Sequence, residues 1–98
     1  MTDFPRASFS DVLTNNAEFA TTFSDQHLTG FAAQELAIIT CMDSRISPLE
    51  IVGMQPGDVK ILRNAGARVT DDVLRTLVLA TFLLGVKRVL DMPHTECK

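Results

Sequence analysis

Leu36-Ala37-Ile38-Ile39-Thr40-Cys41 carries no charge, and its middle is β-branched. A run this short and this continuously apolar predicts a strand covered on both faces, the kind that parallel sheets contain. Downstream of it, helix and strand signals alternate. Ser47-Pro48-Leu49-Glu50 reads as a helix start, with Ser47 as cap, Pro48 at the first helical position and Glu50 closing a capping box. Gly53 ends this short helix. Gln55-Pro56-Gly57-Asp58 is a turn. Val59 to Asn64 is a second strand, left through Ala65-Gly66. Thr70 caps a second helix, and Asp71 and Asp72 complement the positive end of its dipole. Val73, Leu74, Leu77, Val78, Phe82 and Leu84 form its expected buried side, and Gly85 stops it. Val86 to Met92 is a third strand. Ahead of all this, Ser8 to Phe23 has apolar residues at helical spacing, with Ser8 or Ser10 as cap, and Ser24 to Gln34 is a polar loop.

Strands alternating with helices predict an α/β domain, a parallel β-sheet flanked by helices. Such sheets place ligands at the carboxyl ends of strands where strand order reverses. Cys41 ends the first strand, and His94 and Cys97 follow the third. If those strands are neighbours, the three residues meet in one crevice.

Length and charge narrow the function classes. At 98 residues the chain makes one small domain, and 46% apolar content is too high for a disordered one. A net charge of -3 argues against a nucleic-acid partner. The basic residues of the second half are scattered and read as solvated surface. The longest apolar stretch, Thr76 to Val86, is too short to span a membrane. The N-terminus lacks the basic and apolar regions of a signal peptide. The expectation is a cytoplasmic protein, where two cysteines favour thiol or metal chemistry over a disulfide.

The chemistry-bearing stretches are Cys41-Met42-Asp43-Ser44-Arg45 and His94-Thr95-Glu96-Cys97. On an extended backbone, Cys41, Asp43 and Arg45 would share one side. Asp43 and Arg45 can pair bidentately, which fixes the carboxylate. Cys41, His94 and Cys97 make a Cys₂His donor set that suits zinc, with a fourth position open to water as in catalytic sites. Zinc lowers the pKa of that water toward roughly 7, and Asp43 can orient it or take the fourth position and shut the site. Other readings stay open. A lone cysteine at a strand end is often a buried small hydrophobe. Asp43 and Arg45 can be a structural ion pair, and a closed structural zinc site competes with a catalytic one.

Together with Arg63-Asn64-Ala65-Gly66 and Thr70-Asp71-Asp72-Val73, these stretches resemble the β-class carbonic anhydrases, most of all the short bacterial members. The resemblance covers the chain from Leu36 onward. It implies zinc held by Cys41, His94 and Cys97, with Asp43 and Arg45 as the orienting dyad. It implies reversible hydration of CO₂ to bicarbonate, with hydrolysis of carbonyl sulfide or carbon disulfide as the same-fold alternative. It also implies a homodimer or larger oligomer. Residues 1–34 would then be a partner-clasping arm and residues 35–98 the zinc-site core. The family continues past the second cysteine, so the chain corresponds to a C-terminally truncated domain with an incomplete sheet, and an inactive zinc-binding remnant is the non-enzyme alternative. Departures from the family cluster late. Pro93 precedes the histidine, Lys98 follows the second cysteine, and Asp91 occupies a position where a buried strand would carry an aliphatic residue.

Overall fold

A computed structural model of the chain describes residues 3–97. Three strands, β1 (Leu36–Cys41), β2 (Val59–Asn64) and β3 (Arg88–Met92), form a parallel sheet in the order β2-β1-β3. The helices are α1 (Ser10–Thr22), α2 (Pro48–Val52) and α3 (Asp71–Leu83), and a 3-10 turn over Arg6–Phe9 precedes α1. β1 is central and buried along its whole length, as its unbroken apolar run requires. Its register sets Cys41 against Asn64 of β2 and Thr40 against Met92 of β3. The chain runs from β1 to one neighbour and then crosses to the other. Strand order therefore reverses beside β1, and the crevice opens at the carboxyl ends of β1 and β3.

The core between α3 and the sheet is built from small residues. Ala32, Ala37, Ala80 and Val86 are all buried, with Leu77 packed against them. Ala80 and Ala37 let the helix come close to β1. The buried stripe of α3 is therefore Val73 and Ala80, flanked by the half-buried Leu77 and Leu84. The expected buried side is wider than this. Leu74, Val78 and Phe82 are exposed instead, Phe82 at 81%. A helix this apolar has more than one face that periodicity accepts, and only a narrow strip of it meets the core. Asp91 lies on the exposed edge strand β3, so its charge meets water and carries no burial penalty. Lys98 lies outside the described residues.

The local start signals place the helices but not through the expected hydroxyls. Ser47 and Thr70 occupy the residues before α2 and α3, yet neither makes a side-chain cap hydrogen bond. The Thr70 hydroxyl is bonded to the Asp72 carboxylate, and Pro48 with its fixed φ opens α2. The Ser8–Phe23 helix is split into the 3-10 turn and α1, with Phe9 rather than a serine at the junction. Gly53 closes α2 in the left-handed region, at φ 68°, as a C-terminal glycine does. β3 begins at Arg88, two residues later than expected, because the Val86 amide still bonds back to the Ala80 carbonyl at the end of α3. α1 contributes no buried residue, and the radius of gyration is 16.1 Å. A compact domain of this length has about 13 Å, which marks α1 as standing off the sheet.

Thr40 ties the two strands that flank the crevice. It is fully buried, and its hydroxyl donates to the Met92 carbonyl at 2.8 Å. Thr40→Val keeps the shape but strands that carbonyl. Thermal unfolding of this variant is expected to report a loss of about 1–3 kcal/mol. A melting temperature equal to that of the unmodified chain would show that the bond contributes nothing.

Candidate metal centre

The parallel pairing of β1 and β3 brings residues more than 50 positions apart in sequence to one place. Cys41 ends β1 buried at 4% exposure. Beyond β3 the chain turns through Pro93, His94, Thr95 and Glu96 to Cys97, with Glu96 at φ 56°. The sulfur atoms of Cys41 and Cys97 lie 3.6 Å apart and both cysteines are free thiols. One donor atom from each of Cys41, His94 and Cys97 lies within 4.8 Å of the other two.

The ring of His94 is oriented by its own loop. Nδ1 lies 2.8 Å from the Thr95 carbonyl, which can only accept, so Nδ1 carries the proton. Nε2 is therefore the basic nitrogen. It is buried and has no hydrogen-bond partner. A buried polar atom without a partner is costly and calls for an explanation. Its neighbours are the two sulfurs and the Asp43 carboxylate, 3.8 Å away. Tetrahedral zinc with sulfur bonds of about 2.3 Å sets its two sulfurs about 3.8 Å apart. The donor set, its spacing and the orphaned nitrogen all fit zinc.

Electrostatics prepares the same set. The Cys41 thiol is lowered to about 6 by the facing His94 ring first, then by the backbone amides of Gly66 and Asp43, against the opposing effect of burial. The Cys97 thiol is raised, mainly by Cys41 and by burial. The two shifts run in opposite directions, so Cys41 gives up its proton before Cys97, and either sulfur can be the donor across the 3.6 Å between them. The Gly66 amide is presented by a turn in which Gly66 has φ 88° and Ala67 is buried at φ 57°. Asn64 locks that turn from both sides, donating to the Arg68 carbonyl at 2.6 Å and accepting from the Arg68 amide at 2.8 Å.

Asp43 and Arg45 do pair, though not along an extended wall. The chain leaves the strand at Cys41 and turns at Ser44 and Arg45. Asp43 Oδ1 accepts the Arg45 backbone N–H at 2.9 Å, which closes the turn. The Arg45 side chain then grips the same carboxylate, Nε to Oδ1 at 3.0 Å and Nη2 to Oδ2 at 2.5 Å. These bonds hold the Asp43 carboxyl well below the usual carboxylate range. Arg45 Nη2 also donates to the Glu96 carbonyl at 2.9 Å, linking the pair to the loop that carries Cys97.

Arg63 has a part at the site that residue types and spacing do not reveal. Although the residue is exposed, its guanidinium is engaged by backbone carbonyls. Nε donates to the Cys41 carbonyl at 2.8 Å, and Nη2 to the carbonyls of Asp43 at 2.7 Å and Ile46 at 3.4 Å. Its place one residue before the end of β2, in register with Thr40, is the available signal. His27, which has no assigned role, is exposed, with Nδ1 donating to the Ser24 carbonyl.

Beside Cys41 and Cys97 lies an open cavity of about 780 Å³. Asp43 and Arg45 form one wall, and Met42, Ala65 and Gly66 contribute to its lining. Among the described residues no helix is long and apolar enough to cross a membrane.

Comparison with known proteins agrees with this arrangement. The family model described as carbonic anhydrase matches residues 36–98. β-Carbonic anhydrase 1 of Mycobacterium tuberculosis is 37% identical over 87 residues, covering 89% of this chain and 53% of that protein. A carbon disulfide hydrolase of Saccharolobus solfataricus is 44% identical over 64 residues, covering 65% of this chain and 31% of that protein. Among solved structures, the carbonic anhydrase of Streptococcus mutans superposes with a TM-score of 0.86 at 36% identity, covering 98% of this chain and 57% of that one. The chain thus spans about half the length of these carbonic anhydrases. With the matched residues running through both halves of the donor set, and the fold shared throughout, the chain belongs to the β-class carbonic anhydrase family.

Proposed function

We propose that this chain carries the zinc site of an enzyme for the reversible hydration of CO₂ to bicarbonate. The observation that carries the reading is the buried, partnerless His94 Nε2 facing two cysteine sulfurs and the Asp43–Arg45 pair. The Cys41 and Cys97 thiolates and His94 Nε2 would hold the metal. When bound, zinc supplies the Lewis acidity that brings a coordinated water's pKa toward neutrality.

The remaining work falls to the protein. Asp43 stays ionised across the working pH range, so it accepts a hydrogen bond from the nucleophile and never competes for a proton. Arg45 keeps that carboxylate in one orientation. Asp43 can alternatively approach the metal as a fourth donor, which would close the site. Met42 and Ala65 supply apolar lining of the kind that CO₂, a small neutral molecule, requires. The bare faces of α3 and α1, with Phe82, Leu83 and Phe19 exposed, support a homodimer or larger homo-oligomer in which residues 1–34 are the clasping arm. Zinc ligation needs both cysteines as reduced thiolates, which suits a reducing compartment, the cytoplasm.

The similarity to a carbon disulfide hydrolase gives the second reading, hydrolysis of a linear sulfur analogue of CO₂ at the same site. Stopped-flow CO₂ hydration by the zinc-loaded chain, run beside carbon disulfide turnover, decides between them. Hydration above the rate of free zinc is the expected result. Turnover of carbon disulfide alone would reverse the substrate assignment. Silence toward both would leave a zinc-binding relative of the family without its chemistry.

A further inference from the structure

We infer that Arg63 is a positioning residue for the metal centre, acting through the backbone that carries Cys41 and Asp43. The inference rests on the zinc reading and deepens it. Arg63 stands on β2, yet all three of its hydrogen bonds go to carbonyls of the segment that leaves β1, at Cys41, Asp43 and Ile46. That segment has left the sheet after Cys41, so the ladder no longer fixes it. The Met42 amide still bonds to the Asn64 carbonyl at 2.8 Å, and beyond it the segment's ties to β2 run through the Arg63 fork.

The geometry needs a fork. Two nitrogens on one rigid plane address carbonyls at residues 41 and 43, which fixes the angle at which the chain turns after the buried cysteine. From that turn Asp43 faces His94 at 3.8 Å, and Arg45 reaches over to the Glu96 carbonyl. The two guanidiniums therefore form a continuous tie, from β2 through the Cys41–Arg45 turn to the Cys97 loop. Arg63 sets the first half of it. Groups that orient metal ligands from behind typically change affinity by about 10–100-fold when removed.

A purely structural role must be separated from a positioning one, and Arg88 provides the comparison. It also donates to a backbone carbonyl, that of Gln34, but at the far end of the same sheet. Zinc affinity, measured by competition with a chromophoric chelator, and the absorption spectrum of the cobalt(II) form are compared for the unmodified chain, Arg63→Gln and Arg88→Gln. Arg63→Gln is expected to bind zinc about 10–100-fold more weakly and to alter the cobalt spectrum, with Arg88→Gln unchanged in both. Arg63→Lys keeps the charge without the fork. It is expected to show the same loss, and it serves in place of the glutamine variant should that one not fold. If the Arg63 variants match the unmodified chain in affinity and spectrum, or if Arg88→Gln weakens zinc equally, the inference is overturned while the zinc reading stands. If the unmodified chain binds neither metal, the zinc reading falls and this inference falls with it.

Discussion

Asp43→Asn is expected to slow CO₂ hydration by about 10–100-fold, the range in which losing a group that orients a metal site acts. The zinc content is expected to stay at that of the unmodified chain, because the substitution leaves all three proposed donors in place. Asparagine has nearly the same shape, so the turn at residues 43–45 can persist. Its amide, however, presents a donor where Arg45 already presents two, and it cannot accept as an anion. Stopped-flow rates together with metal analysis test this. Undiminished turnover at full zinc content would remove Asp43 from the mechanism. A fall in zinc content would instead mean that the carboxylate itself helps hold the metal.

Cys41→Ser is expected to reduce bound zinc from about one equivalent to a trace after dialysis, and to remove hydration activity with it. Serine offers a hard, protonated oxygen where the metal needs a thiolate. The two donors left, His94 and Cys97, sit on one loop beyond β3 with no strand to brace them. Zinc that binds the folded state alone stabilises it by about 4 kcal/mol at a thousandfold excess over its dissociation constant. Adding zinc should therefore raise the melting temperature of the unmodified chain and leave that of Cys41→Ser where it was. Equal zinc content in the two proteins would sink the assignment of Cys41 as a donor.

Much of the scaffold is legible in the sequence because local chemistry and tertiary placement agree there. β1 starts and stops where its apolar run does, β2 keeps the bounds Val59–Asn64 set by the turns around it, and Gly53 ends α2 for the reason any left-handed residue would. The meeting of Cys41 with His94 and Cys97 rests on a conditional: if β1 and β3 are neighbours, the three residues converge. Strand order makes them neighbours. The bend after Cys41 is not legible, since the expectation of an extended wall ignores an aspartate's ability to capture an amide two residues on. The covered strip of α3 is not legible either. Leu74, Val78 and Phe82 are as apolar as the residues that are buried, and the small Ala80, which decides which side can approach β1, carries little weight in a periodicity. Arg63 is hidden for a third reason. Its partners are carbonyl oxygens, which every residue has, so nothing in residue types marks them.

The reversal of strand order beside β1 also fixes when the site can come into being. Cys41 is synthesised early and can pair with β2 as soon as residue 64 exists, but the other two donors arrive only with β3. No subset of the chain that ends before residue 97 holds all three. Metal capture by all three donors therefore needs the chain made as far as residue 97. It must wait for a long-range pairing across more than 50 residues, of the sort that limits folding speed. Once made, a zinc bridge would close a loop from the end of β1 to the segment beyond β3, so that the ion would act as a clasp between two paired strands.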